Sequence, residues 1–417
     1  MAKLSAQIAQ YRYVLVNTLV SVVAFARNMM FMATLGLADL GQMALLQTIV
    51  MLVGFVQLGM INGAFVLFAE DKVEQTRRVA NALHLGIALL AVLAALVALA
   101  GQEWLLIPVV APETLIIGVF AGLATLASTW MNNLLIAKKA LGHSNLINIA
   151  AVTVSLVAAA ASLRFGLTAA LASMLLQPVL VAVGALIVEP LSRPNPKRPD
   201  AATLRLMWSL GIMQFLGGLS LLLTYQIERW SITLLLGDAQ LGQFYLVMMF
   251  TTFFQLVPAA LLNVHLPQTV QADSRDRLAQ VLRRHLKEVM VYGIAVLLVT
   301  VALVPTAVRL LVPQFEPSIP LLLLAIPSLI IMLQRDNATL ALYASRRMRP
   351  MLVSGIILLV CYSAVLGLIV MLGLFSLQAV VIARTVAVAV SAVYLYWQYR
   401  VIMAERGKGS WRRRSKG

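Results

Sequence analysis

The chain has 417 residues, 61% of them hydrophobic and only 12% charged, with a mean hydropathy of +0.92 and a formal net charge of +16. Soluble domains carry about 45–50% apolar and about 25% charged residues, so the composition excludes a soluble domain and indicates a chain embedded in a bilayer. The single Cys361 excludes an internal disulfide and any multi-cysteine metal site.

Apolar runs of about 20 residues recur along the chain, the length a helix needs to cross about 30 Å of hydrocarbon. They predict twelve spans, at 13–36, 42–69, 80–100, 114–136, 146–163, 167–188, 206–236, 241–265, 288–308, 318–344, 350–372 and 377–399. Irregular backbone and open sheet edges cannot face lipid, so the spans must be helices. Residues Met1 to Arg12 are few, polar and basic. No cleavable signal peptide is expected there, and the first span would act as a signal-anchor. The segment Glu189–Arg205, with Pro190, Pro194, Pro196 and Pro199, reads as a basic cytoplasmic linker. The expected organisation is a six-helix bundle over 1–188, the linker at 189–205, a second six-helix bundle over 206–400 and a basic tail at 401–417.

Alternating the loops across the membrane puts 26 of the 32 Lys and Arg residues on the side that holds both termini. Only Arg164 and Arg309 fall on the other side. Such a split follows the positive-inside rule. It predicts cytoplasmic termini and accounts for the high charge without nucleic acid. The tail from Arg406 to Gly417 is either an anchor on anionic headgroups or a topology signal alone.

Two stretches repeat one phrase. Leu35–Gln42 reads L-G-x-A-x-L-G-Q, and Leu236–Gln243 reads the same 201 positions later. At that offset Leu45 matches Leu246 and Asn62 matches Asn263. Each phrase joins two apolar runs, which makes Gly36, Gly41, Gly237 and Gly242 candidate conformational turns. The fold class that follows is an all-α polytopic membrane protein of about 12 transmembrane helices in two six-helix bundles related by pseudo-two-fold symmetry. With six spans per half, the axis lies along the membrane normal, and a transporter that works by moving its halves is the leading reading.

Away from the span ends, six charged residues fall inside spans: Arg27, Glu228, Arg229, Arg335, Asp336 and Arg384. A charge near the bilayer centre costs about 2.5–3.5 kcal/mol on insertion scales, so such residues should face an internal cavity. At 1.5 Å per residue, Arg27, Arg229 and Arg384 lie roughly 12–13 Å below the outer end and Arg335 near the middle. Arg27 plus 201 is Glu228, which puts charge at matching depth in both halves. Four arginines against two acids suit an anionic ligand, because guanidinium forks grip phosphate oxygens bidentately. Arg27, Arg229, Arg335 and Arg384 are therefore the candidate substrate-binding residues, and Glu228 and Asp336 the candidate ion-pair or coupling residues. The structural alternatives are a packing lock at Gln334–Asn337, a fixed Glu228–Arg229 pair, and a pairing of Arg384 with Glu228 or Asp336.

Gly59 and Gly63 form a G-x-x-x-G that permits close helix packing. Pro258 and Pro327 interrupt their spans, and Asn132, Asn133, Gln177 and Gln226 could meet sugar hydroxyls or hydrogen-bond between helices. There is no phosphate loop, no H-E-x-x-H and no dinucleotide glycine fingerprint. The histidines, His84, His143, His265 and His285, show no metal spacing. No enzyme activity, no metal and no cofactor is expected.

The segment from Arg27 to Glu70 resembles the opening of polysaccharide exporters and flippases, with L-G-x-x-x-x-G leading into a long second span that closes on L-G. The segment "QIERWSITLLLGDAQLGQFYLVMMFTTFFQLVPAALLNVHLPQ" resembles their seventh and eighth spans. It carries an acid-Arg pair (Glu228, Arg229), Leu234–Gly237, Gly242, Tyr245, Pro258 and Pro267. Twelve spans in two halves resemble the multidrug/oligosaccharidyl-lipid/polysaccharide exporter superfamily as a whole, and within it the O-antigen flippases. The family usually has Asp where Glu228 stands. The resemblance implies a cationic cavity between the halves and a lipid-diphosphate-linked oligosaccharide, carried on undecaprenol, as substrate. It leaves room for a polysaccharide polymerase and glycosyltransferases as partners beside the membrane lipids. The competing readings are a drug/cation antiporter of the same superfamily, which would want acids in the cavity, and a non-transporting scaffold of a glycan-assembly complex. A membrane glycosyltransferase would need larger outer loops with acidic catalysts.

Overall fold

The computed structural model describes residues 2–69, 72–100, 110–270, 274–345 and 349–405. Arg346, Arg347 and the basic tail from Arg406 onward lie outside the described residues. Every regular element among the described residues is helical. In chain order they are α1 (Ala2–Thr34), α2 (Leu37–Phe55), α3 (Met60–Ala69), α4 (Val73–Ala100), α5 (Pro112–Ala137), α6 (Leu141–Ala159), α7 (Ser162–Val188), α8 (Ala201–Leu236), α9 (Asp238–Val270), α10 (Arg275–Leu311), α11 (Ile319–Ala344), α12 (Arg349–Met371) and α13 (Leu377–Glu405). Among the described residues ten stretches are long and apolar enough to cross a bilayer, and Thr18–Thr34 of α1 is a shorter apolar helix. With α8, 36 residues long, they account for the twelve expected spans.

One span departs from its expected form. The second, expected unbroken over 42–69, is split into α2 and α3. Leu58 and Gly59 take left-handed φ values of 44° and 86°, which no α-helix accommodates. The side-chain carbonyl of Gln57 accepts from the Ile61 amide at 2.9 Å and starts the helix again. Likewise, Gly166 (φ 59°) breaks the ladder near the start of α7, so the regular part of that helix begins where the sixth span was predicted.

By backbone contacts the chain divides into two compact units, residues 1–216 with 236–242, and residues 217–235 with 243–417. In the first unit α5 packs on α2 and α7, and α6 on α1 and α7. Its core gathers on Trp130, fully buried, with Phe68 and the His84 ring beside it. The start of α8 belongs here because its backbone lies against α3. A Cβ on Gly63 would stand 2.6 Å from the Met207 carbonyl carbon, and one on Gly211 2.6 Å from the Gly63 nitrogen. Only glycine permits that approach, which is the use the G-x-x-x-G pattern suggests. In the second unit α13 packs on α11 and α12, and α10 on α11.

The proline-rich linker is bonded along one face of α4. Arg78 donates to Asp200 at 2.7 Å, His84 to the Ser192 carbonyl at 2.8 Å, and Lys197 pairs with Glu74 at 3.2 Å. Asn81 donates to the carbonyls of Asn195 and Lys197 and accepts from the Asn195 amide. These α4 positions recur at helical spacing and so share a face. Asp200 also accepts from the Thr203 amide at 2.6 Å, capping the start of α8. Hydrogen bonds from Thr203, with Arg78 adding to them, hold the Asp200 carboxyl below the ordinary Asp value.

Candidate transport site

In the first unit the site is built around Arg27 on α1. Position 27 faces α6 and α7, and its side chain is 6% exposed. Its Nη1 donates to Ser155 Oγ at 2.6 Å and to Gln177 Oε1 at 2.8 Å. The Ser155 hydroxyl spends its own proton on the Ser173 carbonyl, 2.6 Å away, and so can only accept from the guanidinium. Ser173 and Gln177 are one helical turn apart on α7. Pro178 follows immediately and removes the helical donor of the Met174 carbonyl.

At one end of the same unit the two copies of the repeated phrase meet. Leu37 opens α2 and Asp238 opens α9. A Cβ on Gly41 would lie 2.8 Å from the Asp238 carbonyl carbon, and one on Gly242 2.6 Å from the Leu37 carbonyl carbon. Gly41 and Gly242, like Leu37 and Asp238, are 201 positions apart, so the contact is reciprocal. Gln42 adds a tie: its Nε2 donates to Asp238 Oδ2 at 2.6 Å, and its Oε1 accepts from the Ala111 amide at 3.1 Å. Gly36 and Gly237 have open space around them; Gly237 is left-handed (φ 87°), whereas Gly36 is extended.

In the second unit Arg384 on α13 reaches Glu228 on α8, Nη1 to Oε2, at 3.3 Å. Both are at most 4% exposed at the side chain. The Arg384 guanidinium also lies over the Phe244 ring at 5.8 Å. Tyr362 on α12 is fully buried within electrostatic reach of both. Gln255 donates to the Tyr225 hydroxyl at 3.3 Å. Tyr225 lies within electrostatic reach of Arg335 as well as of the ion pair. Arg335 and Asp336 are half-buried neighbours on α11, while Arg229 is buried near Tyr225 and Tyr245. A buried pair is costly to break from one side, because the remaining charge loses both water and partner. Arg384→Met is thus expected to lower unfolding stability by about 3–5 kcal/mol. The double change Glu228→Gln with Arg384→Met should recover most of that loss. Thermal unfolding of the purified full chain measures both, and additive losses would sink the pairing.

The four candidate binding arginines are therefore divided, Arg27 in the first unit and Arg229, Arg335 and Arg384 in the second. Of the acids, Glu228 pairs with Arg384, and Asp336 stays beside its neighbour Arg335. Asn132 accepts from Ser144 at 2.6 Å and from Asn148, a link between α5 and α6. Among the described residues no group of three His, Cys, Asp or Glu side chains could hold a metal.

No family model matches the sequence, and among curated proteins none matches it. Solved structures do. The inward-facing conformation of a multidrug resistance MATE family transporter of the MOP superfamily aligns with a TM-score of 0.75 at 15% identity, covering 97% of this chain and 99% of that one. The chain has the fold of the MATE transporters. An outward-facing MATE structure aligns at a TM-score of 0.63 and 14% identity, covering 96% of each chain. The lipid II flippase MurJ, in an inward closed conformation, aligns at 0.71 and 12% identity, covering 95% of this chain and 90% of its own. What a MATE-like chain shares at such identities is its order and packing of helices: two bundles, all helical, crossing the membrane many times.

Several members of this site are invisible in the sequence. Ser155 is one serine in an apolar run and carries no signal. Tyr362 and Phe244 look like ordinary core residues. Asp238 did leave a trace, being an acid where the first copy of the phrase has Leu37. The histidines looked scattered, yet the rings of His265 and His285 lie 5.2 Å apart, and His265 bonds Glu288 at 2.8 Å. His265 on α9 and His285 on α10 are brought together by the tertiary fold, and no local spacing encodes that.

Proposed function

We infer that the protein is a flippase that moves a lipid-diphosphate-linked oligosaccharide, of the O-antigen or a related surface-polysaccharide type, across the inner membrane by alternating access. The observation that carries this reading is Arg27: a guanidinium buried at membrane depth and held by two neutral acceptors, Ser155 and Gln177. Neither of these two acceptors carries a charge, and a guanidinium is the side chain whose forked donors match the oxygens of a diphosphate. A surplus of arginine over acid inside the spans supports the same ligand class. The fold is compatible, because it serves a lipid II flippase. It serves multidrug transporters equally, which makes a drug/cation antiporter the second reading. That reading needs a carboxylate open to a cation, and Glu228, the buried acid of α8, is engaged by Arg384.

Glu228 then works as an ion pair that is broken and remade as the protein changes state. A ligand biases two states only through its differential affinity for them, and the diphosphate would compete with Glu228 for arginine. The test is transport in proteoliposomes. A fluorescent polyprenyl-diphosphate oligosaccharide should cross at a rate that depends on the protein, and ethidium should not. Glu228→Gln should slow crossing severalfold while leaving any response to a pH or sodium gradient in place. Ethidium transport without glycan transport would establish the antiporter instead. If Glu228→Gln loses only the gradient response, Glu228 is the coupling site.

A further inference from the structure

We propose that α10 carries a headgroup site for an anionic phospholipid, built on Arg283 and Lys287. The helix is 37 residues long. At 1.5 Å per residue that is about 55 Å, against about 30 Å of hydrocarbon, so part of it must stand outside. The predicted span begins only at 288, and the turns before it are basic. One face runs through both parts. Arg284, Lys287, Val291, Ile294 and Leu298 follow one another at alternating steps of three and four residues and so form one stripe. Arg283 flanks the stripe, one turn before Lys287. The three cations are exposed, and Val291, Ile294 and Leu298 are 52–65% exposed. Apolar side chains that exposed on a spanning helix mark the surface it turns to lipid. The opposite face, with Leu278, Leu282 and Val289, is buried in the core of the second unit. The basic stripe therefore ends where the lipid-facing stripe begins, on the same side of the helix.

Depth decides which cations can reach a phosphate. The headgroup layers add about 10–15 Å to the hydrocarbon, so each is about 5–8 Å deep. Counted from position 288, Lys287 stands about 2 Å out, Arg284 about 6 Å and Arg283 about 8 Å. All three fall within that layer, whereas Arg277, about 16 Å out, lies beyond it. The acid at this level is Glu288, which is half-buried and already engaged. Its Oε1 accepts from Arg284 at 2.8 Å, and its Oε2 bonds His265 at 2.8 Å. Arg283 and Lys287 make no hydrogen bond or ion pair among the described residues. One turn apart, they present two positive charges where phosphodiesters lie. A zwitterionic headgroup brings its own cation to such a pair, so a net-negative lipid is preferred. Continuity with the apolar stripe favours a lipid over an acidic protein, because a protein reaching Lys287 would itself have to enter the headgroup layer.

The test is native mass spectrometry of the full chain, titrated with phosphatidylglycerol and separately with phosphatidylcholine of the same acyl chains. Wild type should retain phosphatidylglycerol at concentrations where phosphatidylcholine is lost. One basic residue at an anionic surface contributes about fivefold in affinity. Arg283→Gln with Lys287→Gln should therefore weaken phosphatidylglycerol binding by about 25-fold and leave phosphatidylcholine binding unchanged. Its thermal midpoint in phosphatidylcholine nanodiscs should match wild type, because both side chains are exposed. Arg198→Gln with Arg205→Gln removes two charges from exposed positions outside α10 and serves as the control, with an expected loss under about twofold. Lys287→Gln alone should cost about fivefold, and it decides if the double variant does not fold. Equal retention of the two lipids by wild type, or unchanged phosphatidylglycerol binding in Arg283→Gln with Lys287→Gln, overturns the proposal. An equal loss in the control does so too, since net charge alone would then explain the binding. Should phosphatidylglycerol not be preferred, and hexaglutamate instead bind the chain in phosphatidylcholine nanodiscs through Arg283 and Lys287, the face belongs to an acidic protein and the lipid site is refuted.

Discussion

Arg27→Ala is expected to reduce transport of a lipid-diphosphate glycan by about a hundredfold or more, while the protein still reaches the membrane in normal amount. A hydrogen bond to a charged group is worth about 1.5–3 kcal/mol, and a guanidinium fork supplies two to one phosphate. Losing both corresponds to two or more factors of ten in affinity. The structure adds a second cost. Removing the guanidinium strips Ser155 and Gln177 of a shared donor, in a place where Ser155 is fully buried. Some loss of stability should therefore accompany the loss of transport, and Arg27→Lys distinguishes the two. Lysine restores the charge but offers no parallel donors. It should rescue stability well and transport poorly. Transport is measured in proteoliposomes and stability by thermal unfolding. Wild-type transport in Arg27→Ala would return Arg27 to a purely structural role.

Gly242→Val should be the most damaging change that leaves every charge intact. Its Cβ would start 2.6 Å from the Leu37 carbonyl carbon, closer than real Cβ contacts come, and the obstacle is backbone that cannot rotate away. The first turns of α2 and α9 would have to part. Overpacking a well-fitted contact costs about 1–3 kcal/mol, occasionally more, and the Gln42–Asp238 hydrogen bond would be stretched along with it. The control lies five residues away. Gly237 is left-handed, with φ of 87°, but has open space around it. Gly237→Ala should cost only the backbone strain, of order 1–3 kcal/mol, and leave the helix contact closed. Distance between spin labels at the first turns of α2 and α9 reports the difference. An unchanged distance in Gly242→Val would mean that the contact is not as tight as the backbone positions indicate.

Composition and periodicity carried most of the fold. Apolar runs locate helices because the bilayer admits nothing else, and the ends of α5, α11 and α12 fall within two residues of the predicted spans. The break at Leu58–Gly59 was not legible, because glycine at a G-x-x-x-G position reads equally as a packing surface or as a hinge. The start of α10 was missed for a different reason. Its first turns, Arg275–Lys287, are charged and amphipathic, and a search for apolar runs passes over them. In the site, the charges inside spans stood out, since an intramembrane charge is rare and expensive. Their partners did not. Glu228 and Arg384 are 156 positions apart, and Asp336 was an equally good partner on paper. The choice between them is made by the tertiary approach of the Arg384 side chain to Glu228, which no spacing records.

The reciprocal glycine contact has a bearing on how such a sequence can change over time. Each copy of L-G-x-A-x-L-G-Q supplies both the recess and the carbonyl that fills the other's recess. The two glycines are thus answerable to each other across 201 residues. Once one has been replaced and the helices have separated, the second substitution meets an open gap, and its effect falls well short of the sum. Drift at either position is held back by the other while both persist, and released once either is lost. The glycine contact thus gives a physical reason for Gly41 and Gly242 to stand at matching places in the two copies of the phrase.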